Sequence, residues 1–161
     1  MGGAAVVVRR AEERDLPRLG ELAGALVRFH HAADPRRFLL VEGVEEGYAR
    51  WLGSELRRDR AIVVAAELDG RVIGYGYATL EGRDWGSLLD DHGEIHDVIV
   101  EPGARRSGAG RALLRALCEE LSARGAPRIV LYTMTSNEPA QRLFESEGFG
   151  RTMLEMTRHR P

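Results

Sequence analysis

The chain has 161 residues, 43% of them hydrophobic and 30% charged, which is enough for one domain with a proper core over 1–161. A formal net charge of -2 gives no general reason to expect nucleic acid as a partner. All 23 basic residues are arginine, which excludes a lysine base or a Schiff base, and the lone Cys118 excludes an internal disulfide and fits a reducing, cytoplasmic setting.

The N-terminus M-G-G-A-A-V-V-V-R-R lacks a charged n-region, and its apolar run is too short for a signal peptide or a membrane span. Val6 stands where myristoylation wants Ser or Thr. The expectation is a soluble, unanchored protein with no membrane partner.

Ala4 to Arg9, with three consecutive valines, reads as a first strand. Asp15 and Pro17 suit a helix start, and Leu16, Leu19, Leu22, Leu26 and Phe29 recur at helical spacing to an end near His30 or His31, before Pro35. Val41 to Arg58 reads as a second helix, interrupted by Gly43, Gly47 and Gly53. Ala61–Leu68 and Arg71–Leu80 are apolar and β-rich, and Asp69-Gly70 between them marks a hairpin. Gly74 and Gly76 share one face of the second strand, a pattern that fits close packing of a helix. Glu81 to His92 is a polar loop containing Trp85.

Glu94 to Val100 is the next strand. It is followed by a loop and by a helix from about Gly110 to Arg124, with Leu113, Leu114, Leu117, Cys118 and Leu121 turned inward. Arg128 to Thr133 reads as a short strand, parallel to the previous one across this helix. Asn137 suits the cap of a helix from Glu138 to Glu147 that Gly148 ends, and Arg151 to Thr157 alternates as a last strand. This order gives an α/β or α+β domain with a mixed sheet.

The most informative stretch is V-I-V-E-P-G-A-R-R-S-G-A-G-R-A-L-L, from Val98 to Leu114. A strand feeding a Gly-rich turn at a helix N-terminus presents unpaired backbone N–H groups and the positive end of a helix dipole, which suits a phosphate. Arg105 and Arg106 add fixed charge to the same turn. A P-loop would need a lysine, and a dinucleotide fingerprint would lie near the first strand of a βαβ unit with a third glycine where Leu113 stands.

The pattern V-x-P-x-x-R-x-x-G-x-G, read as Val100, Pro102, Arg105, Gly108 and Gly110, resembles the acetyl-CoA loop of the GCN5-related N-acetyltransferase (GNAT) superfamily. N-E-P-A-Q-R-L-F-E-S-E-G-F, from Asn137 to Phe149, resembles that family's N-x-x-A-x-x-L-Y-x-x-x-G-F segment, and D-G-R-V-I-G-Y-G resembles its hairpin. The resemblance implies a mostly antiparallel mixed sheet flanked by helices, with acetyl-CoA beside the Glu94–Val100 strand and no metal. It also implies that backbone N–H groups of Arg105, Arg106, Ser107, Gly108, Ala109, Gly110 and Arg111 surround the pyrophosphate. Val98, Ile99 and Val100 would flank pantetheine and polarise the thioester, with Asn137 and Phe144 also against the cofactor.

Acetyl transfer to a primary amine of a small molecule or peptide, by direct attack in a ternary complex, needs the amine neutral, and an alkylamine has a pKa of about 10.4. By strict alternation Glu94, His96 and Val98 share one face of their strand, while Ile95, Asp97 and Ile99 share the other. His96 and Glu94 are the base candidates, and Asp97 reads as a structural acceptor for nearby backbone N–H groups. The family's acid is a tyrosine where this chain has Phe144, which cannot donate a proton. Tyr132 is the substitute candidate. The stretch after the first helix contributes His30, His31, Asp34 and Phe38 as candidates for the acceptor mouth. A non-catalytic acyl-CoA-binding or sensing module is the competing reading, and a homodimer is compatible with either.

Overall fold

The computed structural model describes residues 5–160. A five-stranded sheet of β1 (Val7–Arg10), β2 (Ala61–Leu68), β3 (Arg71–Glu81), β4 (His92–Val100) and β5 (Ile129–Leu131) runs in that spatial order. The first three pairings are antiparallel and β4–β5 is parallel. The strand expected over Ala4 to Arg9 is observed as β1, with Ala4 outside the described residues. Asp69 and Gly70 both take positive φ, 52° and 73°, as a two-residue hairpin turn requires.

Helices cover both faces. α1 (Leu16–Ala33) begins with Pro17 in its first turn and stops at the extended Asp34 before Pro35, and α2 (Val44–Glu55) follows. These two pack on one face around Leu19, Leu22, Leu52, Val63, Tyr75 and Tyr77. α3 (Ala109–Ala123) covers the other face, where Leu113, Leu114, Leu117 and Leu121 are fully buried against Ile62, Ile73, Ala78 and Ile95. α4 (Glu138–Ser146) flanks the same core through Leu143 and Phe144, and the Asn137 side chain accepts a hydrogen bond from the Ala140 N–H at its start.

Three sequence expectations change. Arg151–Thr157 is not a strand: Met153, Leu154 and Met156 are 84%, 66% and 87% exposed. The reason lies in the pattern, because apolar residues at both 153 and 154 fall on opposite faces of any strand. The segment is held by the Arg37–Glu155 ion pair instead. Gly74 and Gly76 also differ in role. A Cβ at Gly76 would meet Leu117 of α3 at 2.8 Å, as helix packing requires, whereas one at Gly74 would meet the Ile99 carbonyl oxygen of β4 at 2.5 Å.

The third change concerns β4. Its register against β3 slips between Tyr77 and Ala78, so that Tyr77 opposes Asp97 and Ala78 opposes Ile95, leaving His96 as the extra residue of a bulge. Alternation is therefore broken at His96. Ile95, Val98 and Val100 join the core under α3. His96 instead stacks on Tyr77, Asp97 bonds Tyr75, and Ile99 packs among the residues under α1 and α2.

Candidate functional site

β4 and β5 pair only over Gly93–Ile95 and Ile129–Leu131, and beyond Ile95 the two strands part. A cavity of about 310 Å³ opens at this fork. His96, Asp97 and Val98 form one wall and Leu131, Tyr132 and Thr133 another, with Asn137, Ala140 and Phe144 of the α4 region between them. Leu26, Val27, His30, Phe38, Leu39 and Tyr48 complete it from the α1–α2 side.

Just past the end of β4, Pro102–Ala104 form a single 3-10 turn that leads to the loop before α3. Arg106 and Gly108 take positive φ, 73° and 87°, which turns the backbone back toward α3. Among the described residues no protein acceptor meets the N–H groups of Arg106, Gly108, Gly110 and Arg111, while that of Ala109 bonds Ser107 Oγ at 3.3 Å. Four unpaired donors at a helix N-terminus form a cradle for an anion. Arg111 and Arg115 are both held by Glu147, at 2.9 Å and 2.7 Å; Arg105 and Arg106 have no such carboxylate among the described residues. A parted strand edge followed by a loop of free donors fits an extended thioester with a pyrophosphate at its far end.

Residues 25–149 match the model of the acetyltransferase (GNAT) family. The chain belongs to this family. A mycothiol acetyltransferase of Thermomonospora curvata is 32% identical over an alignment covering 95% of this chain and 53% of that protein. An uncharacterized N-acetyltransferase of Archaeoglobus fulgidus is 27% identical over 89% of this chain and 92% of its own. Among solved structures, an aminoglycoside N-acetyltransferase in complex with CoA superposes with a TM-score of 0.76 at 16% identity, covering 99% of this chain and 97% of that one. A predicted acetyltransferase from Clostridium acetobutylicum, solved with acetyl-CoA, gives 0.71 at 17% identity over 94% and 96%. At such identities the structures establish a shared GNAT fold. The chain spans about half the length of the mycothiol acetyltransferases that it matches most fully.

Within this GNAT domain the sequence candidates separate. His96, Val98, Tyr132, Asn137, Phe144, His30 and Phe38 all line the cavity. Glu94 does not. Its carboxylate lies between His92 Nε2 at 3.6 Å and His96 Nδ1 at 3.5 Å. His31 and Asp34 shape the turn after α1: His31 Nδ1 donates to the Phe38 carbonyl at 2.8 Å, and Asp34 Oδ1 accepts from the backbone N–H groups of Arg36 and Arg37. Tyr132 is 69% exposed. The Phe144 ring meets Phe149 edge-on at 6.2 Å.

Sequence reasoning missed the groups that hold the β4 side chains. Tyr75 donates from its hydroxyl to Asp97 Oδ2 at 2.8 Å inside the core. Burial pushes the Asp97 carboxyl above the usual carboxylate range, although the Tyr75 bond, the nearby His96 and the Tyr48 hydroxyl work against it. Burial, together with the Asp97 charge, also raises the Tyr48 and Tyr75 phenols. Tyr77 donates to the buried Glu55 at 2.7 Å and offers its ring to His96 at 4.9 Å. The signal was present in β3, where Tyr75, Tyr77 and Thr79 fall at alternate positions on one face. Among the described residues no cluster of His, Cys, Asp or Glu is placed to hold a metal, and no helix is long and apolar enough to cross a membrane.

Proposed function

We propose that the chain transfers acetyl from acetyl-CoA to a primary amine of a small molecule or peptide, by direct attack in a ternary complex. The observation that carries this reading is the placement of His96 on the cavity wall where β4 leaves β5, on the strand that leads into the loop of free donors before α3. Acetyl-CoA, when bound, supplies the activated acyl group and the thiol leaving group. The protein's part is to hold the pyrophosphate with the N–H groups of the loop, to flank pantetheine with Val98–Val100, and to accept the proton that a cationic amine must lose. His96 is the base in this reading because it reaches the cavity and Glu94 does not.

A small-molecule acceptor is supported by the names of relatives, which are acetyltransferases of mycothiol and of aminoglycosides. His30 and Phe38 then line the acceptor's approach, and His31 and Asp34 shape the loop that carries Phe38. For the leaving group, Phe144 supplies no proton. A thiol of pKa about 8.5 departs tolerably as thiolate, and Tyr132, which lines the same cavity, carries a hydroxyl. Phe144 is also what favours the second reading, a module that binds acyl-CoA without turnover.

Thiol release from acetyl-CoA, followed with a panel of polyamines, amino acids, aminoglycosides and peptides, tests the proposal. The expected result is release that depends on one class of amine. His96→Ala should lower kcat by about 10²- to 10⁴-fold, with acetyl-CoA affinity near that of the wild type. Tight CoA binding without amine-dependent release would establish the binding module instead.

A further inference from the structure

The hydrogen bonds around His96 determine more than its position. Arg60 Nη1 donates to both carboxylate oxygens of Glu81, at 2.7 Å and 2.9 Å. Thr79 Oγ1 lies 2.6 Å from Glu81 Oε1, and a carboxylate held by an arginine has only lone pairs to offer. The single hydroxyl proton of Thr79 must therefore point at Glu81. What the Thr79 oxygen has left is acceptor capacity, and His96 Nε2 stands 2.7 Å from it. Nε2 must carry a proton to make that contact. The opposite assignment, with Thr79 donating to a bare Nε2, would press two oxygen lone pairs together at 2.6 Å around a threonine that is 1% exposed.

The ring has no easy escape from this arrangement. Turning it over would place the carbon Cε1 against Thr79 Oγ1 and lose the bond. One face is covered by the Tyr77 ring, stacked at 25°, and Tyr77 is itself tethered to the buried Glu55.

We infer that Thr79, anchored through Glu81 and Arg60, holds His96 in the tautomer protonated at Nε2 and leaves Nδ1 as the ring's one basic atom. Thr79, Glu81 and Arg60 are positioning residues, acting through His96. The catalytic consequence rests on the acetyl-transfer reading; the tautomer does not. In that reading the in-plane lone pair at Nδ1 takes the amine's proton, Nε2–H stays on Thr79 throughout, and the ring becomes an imidazolium. Glu94 Oε1, 3.5 Å from Nδ1, then faces the new charge. This gives Glu94 a part as counter-ion to the ring.

The test is a long-range proton–nitrogen NMR correlation on protein labelled at histidine nitrogen, with the His96 signals assigned by their loss in His96→Ala. Expected for the neutral ring is a protonated, pyrrole-type Nε2 and a bare, pyridine-type Nδ1. A proton on Nδ1 with Nε2 bare would overturn the inference. Glu81→Leu, at a side chain 29% exposed, should free the Thr79 hydroxyl to donate and bring the Nδ1–H form into the spectrum. Thr79→Val should do the same and lower kcat roughly 3- to 10-fold, the worth of one ordinary hydrogen bond, with unchanged affinity for acetyl-CoA, and Thr79→Ser should restore both. An unmoved tautomer in Glu81→Leu and Thr79→Val would also overturn the inference. The spectrum is read without substrate, so a chain that never releases thiol would refute the acetyl-transfer reading while leaving the tautomer to stand or fall by itself.

Discussion

Gly74 and Gly76 sit two residues apart on the strand beside β4, and adding one methyl to each should have different consequences. At Gly76 the new Cβ meets Leu117 Cδ1 at 2.8 Å and Val64 Cγ2 at 3.3 Å, both ends of side chains. Overpacking costs about 1–3 kcal/mol and removing a strand glycine returns about 0.5–1 kcal/mol, so Gly76→Ala should lose between about 0 and 2.5 kcal/mol. At Gly74 the obstacle is the Ile99 carbonyl oxygen at 2.5 Å, with Val100 Cα at 3.2 Å. Backbone cannot rotate aside as a leucine can, so Gly74→Ala should cost about 3 kcal/mol or more. Leu117→Ala alone should cost about 2–5 kcal/mol. Combined with Gly76→Ala it should cost less than the sum, by a coupling of about 0.5–3 kcal/mol, because the methyl enters the space that the leucine leaves. Combined with Gly74→Ala it should be additive. Urea unfolding of the three single and two double variants measures these terms, and acetyl-CoA titration should show weaker binding only where Ile99 and Val100 are displaced, in the variants that carry Gly74→Ala. Equal losses at both glycines, or rescue of Gly74→Ala by Leu117→Ala, would refute the assignment of one glycine to the helix and the other to the strand.

Arg9 donates to Asp15 at 2.7 Å and 2.9 Å and holds that carboxyl below its ordinary range; the stability this contributes is present above the unfolded value of about 3.9 and lost as pH falls through the lower folded value. Arg9→Met should cost about 1.5–3 kcal/mol at pH 7 and flatten that acid limb of the stability curve, as urea midpoints across pH 2–5 would show. Asp97 has the opposite sign: burial raises its folded pKa, so its own contribution to stability is highest below about 3.9 and declines as pH rises through the folded value. Asp97→Asn should gain on the wild type progressively across that window, and parallel pH curves for the two proteins would contradict the assignment.

Elements with a strong apolar period were legible in the sequence. α3 shows its buried face in Leu113, Leu114, Leu117 and Leu121, and the β2–β3 hairpin announces itself with Asp69-Gly70 between two β-rich runs. The loop after β4 was legible for a related reason, since free N–H donors need glycine and tight turns, and those residues are local. What was not legible is set by partners far along the chain. The bulge at His96 arises from register against β3, and no residue in H-G-E-I-H-D-V marks it. Nothing in Arg151–Thr157 itself shows that no strand pairs with it, so local alternation was a poor guide there.

The bulge explains why the chemistry-bearing residues of β4 depend on β3. In a regular strand His96 and Asp97 would project to opposite faces, and one would enter the leucine core under α3. The extra residue turns both toward α1 and α2. There β3 supplies alternating sockets: Tyr75 for Asp97, then Tyr77 and Thr79 for His96. The free N–H donors proposed to hold the pyrophosphate belong to a different unit, the loop and first turn of α3. Substitutions in β3 should therefore act on the proton-handling groups and appear in kcat and its pH profile, while substitutions from Arg105 to Gly110 should appear in acetyl-CoA affinity. Gly74 is where the two units meet, because its missing side chain lets β3 approach Ile99 at the point where β4 turns toward the loop.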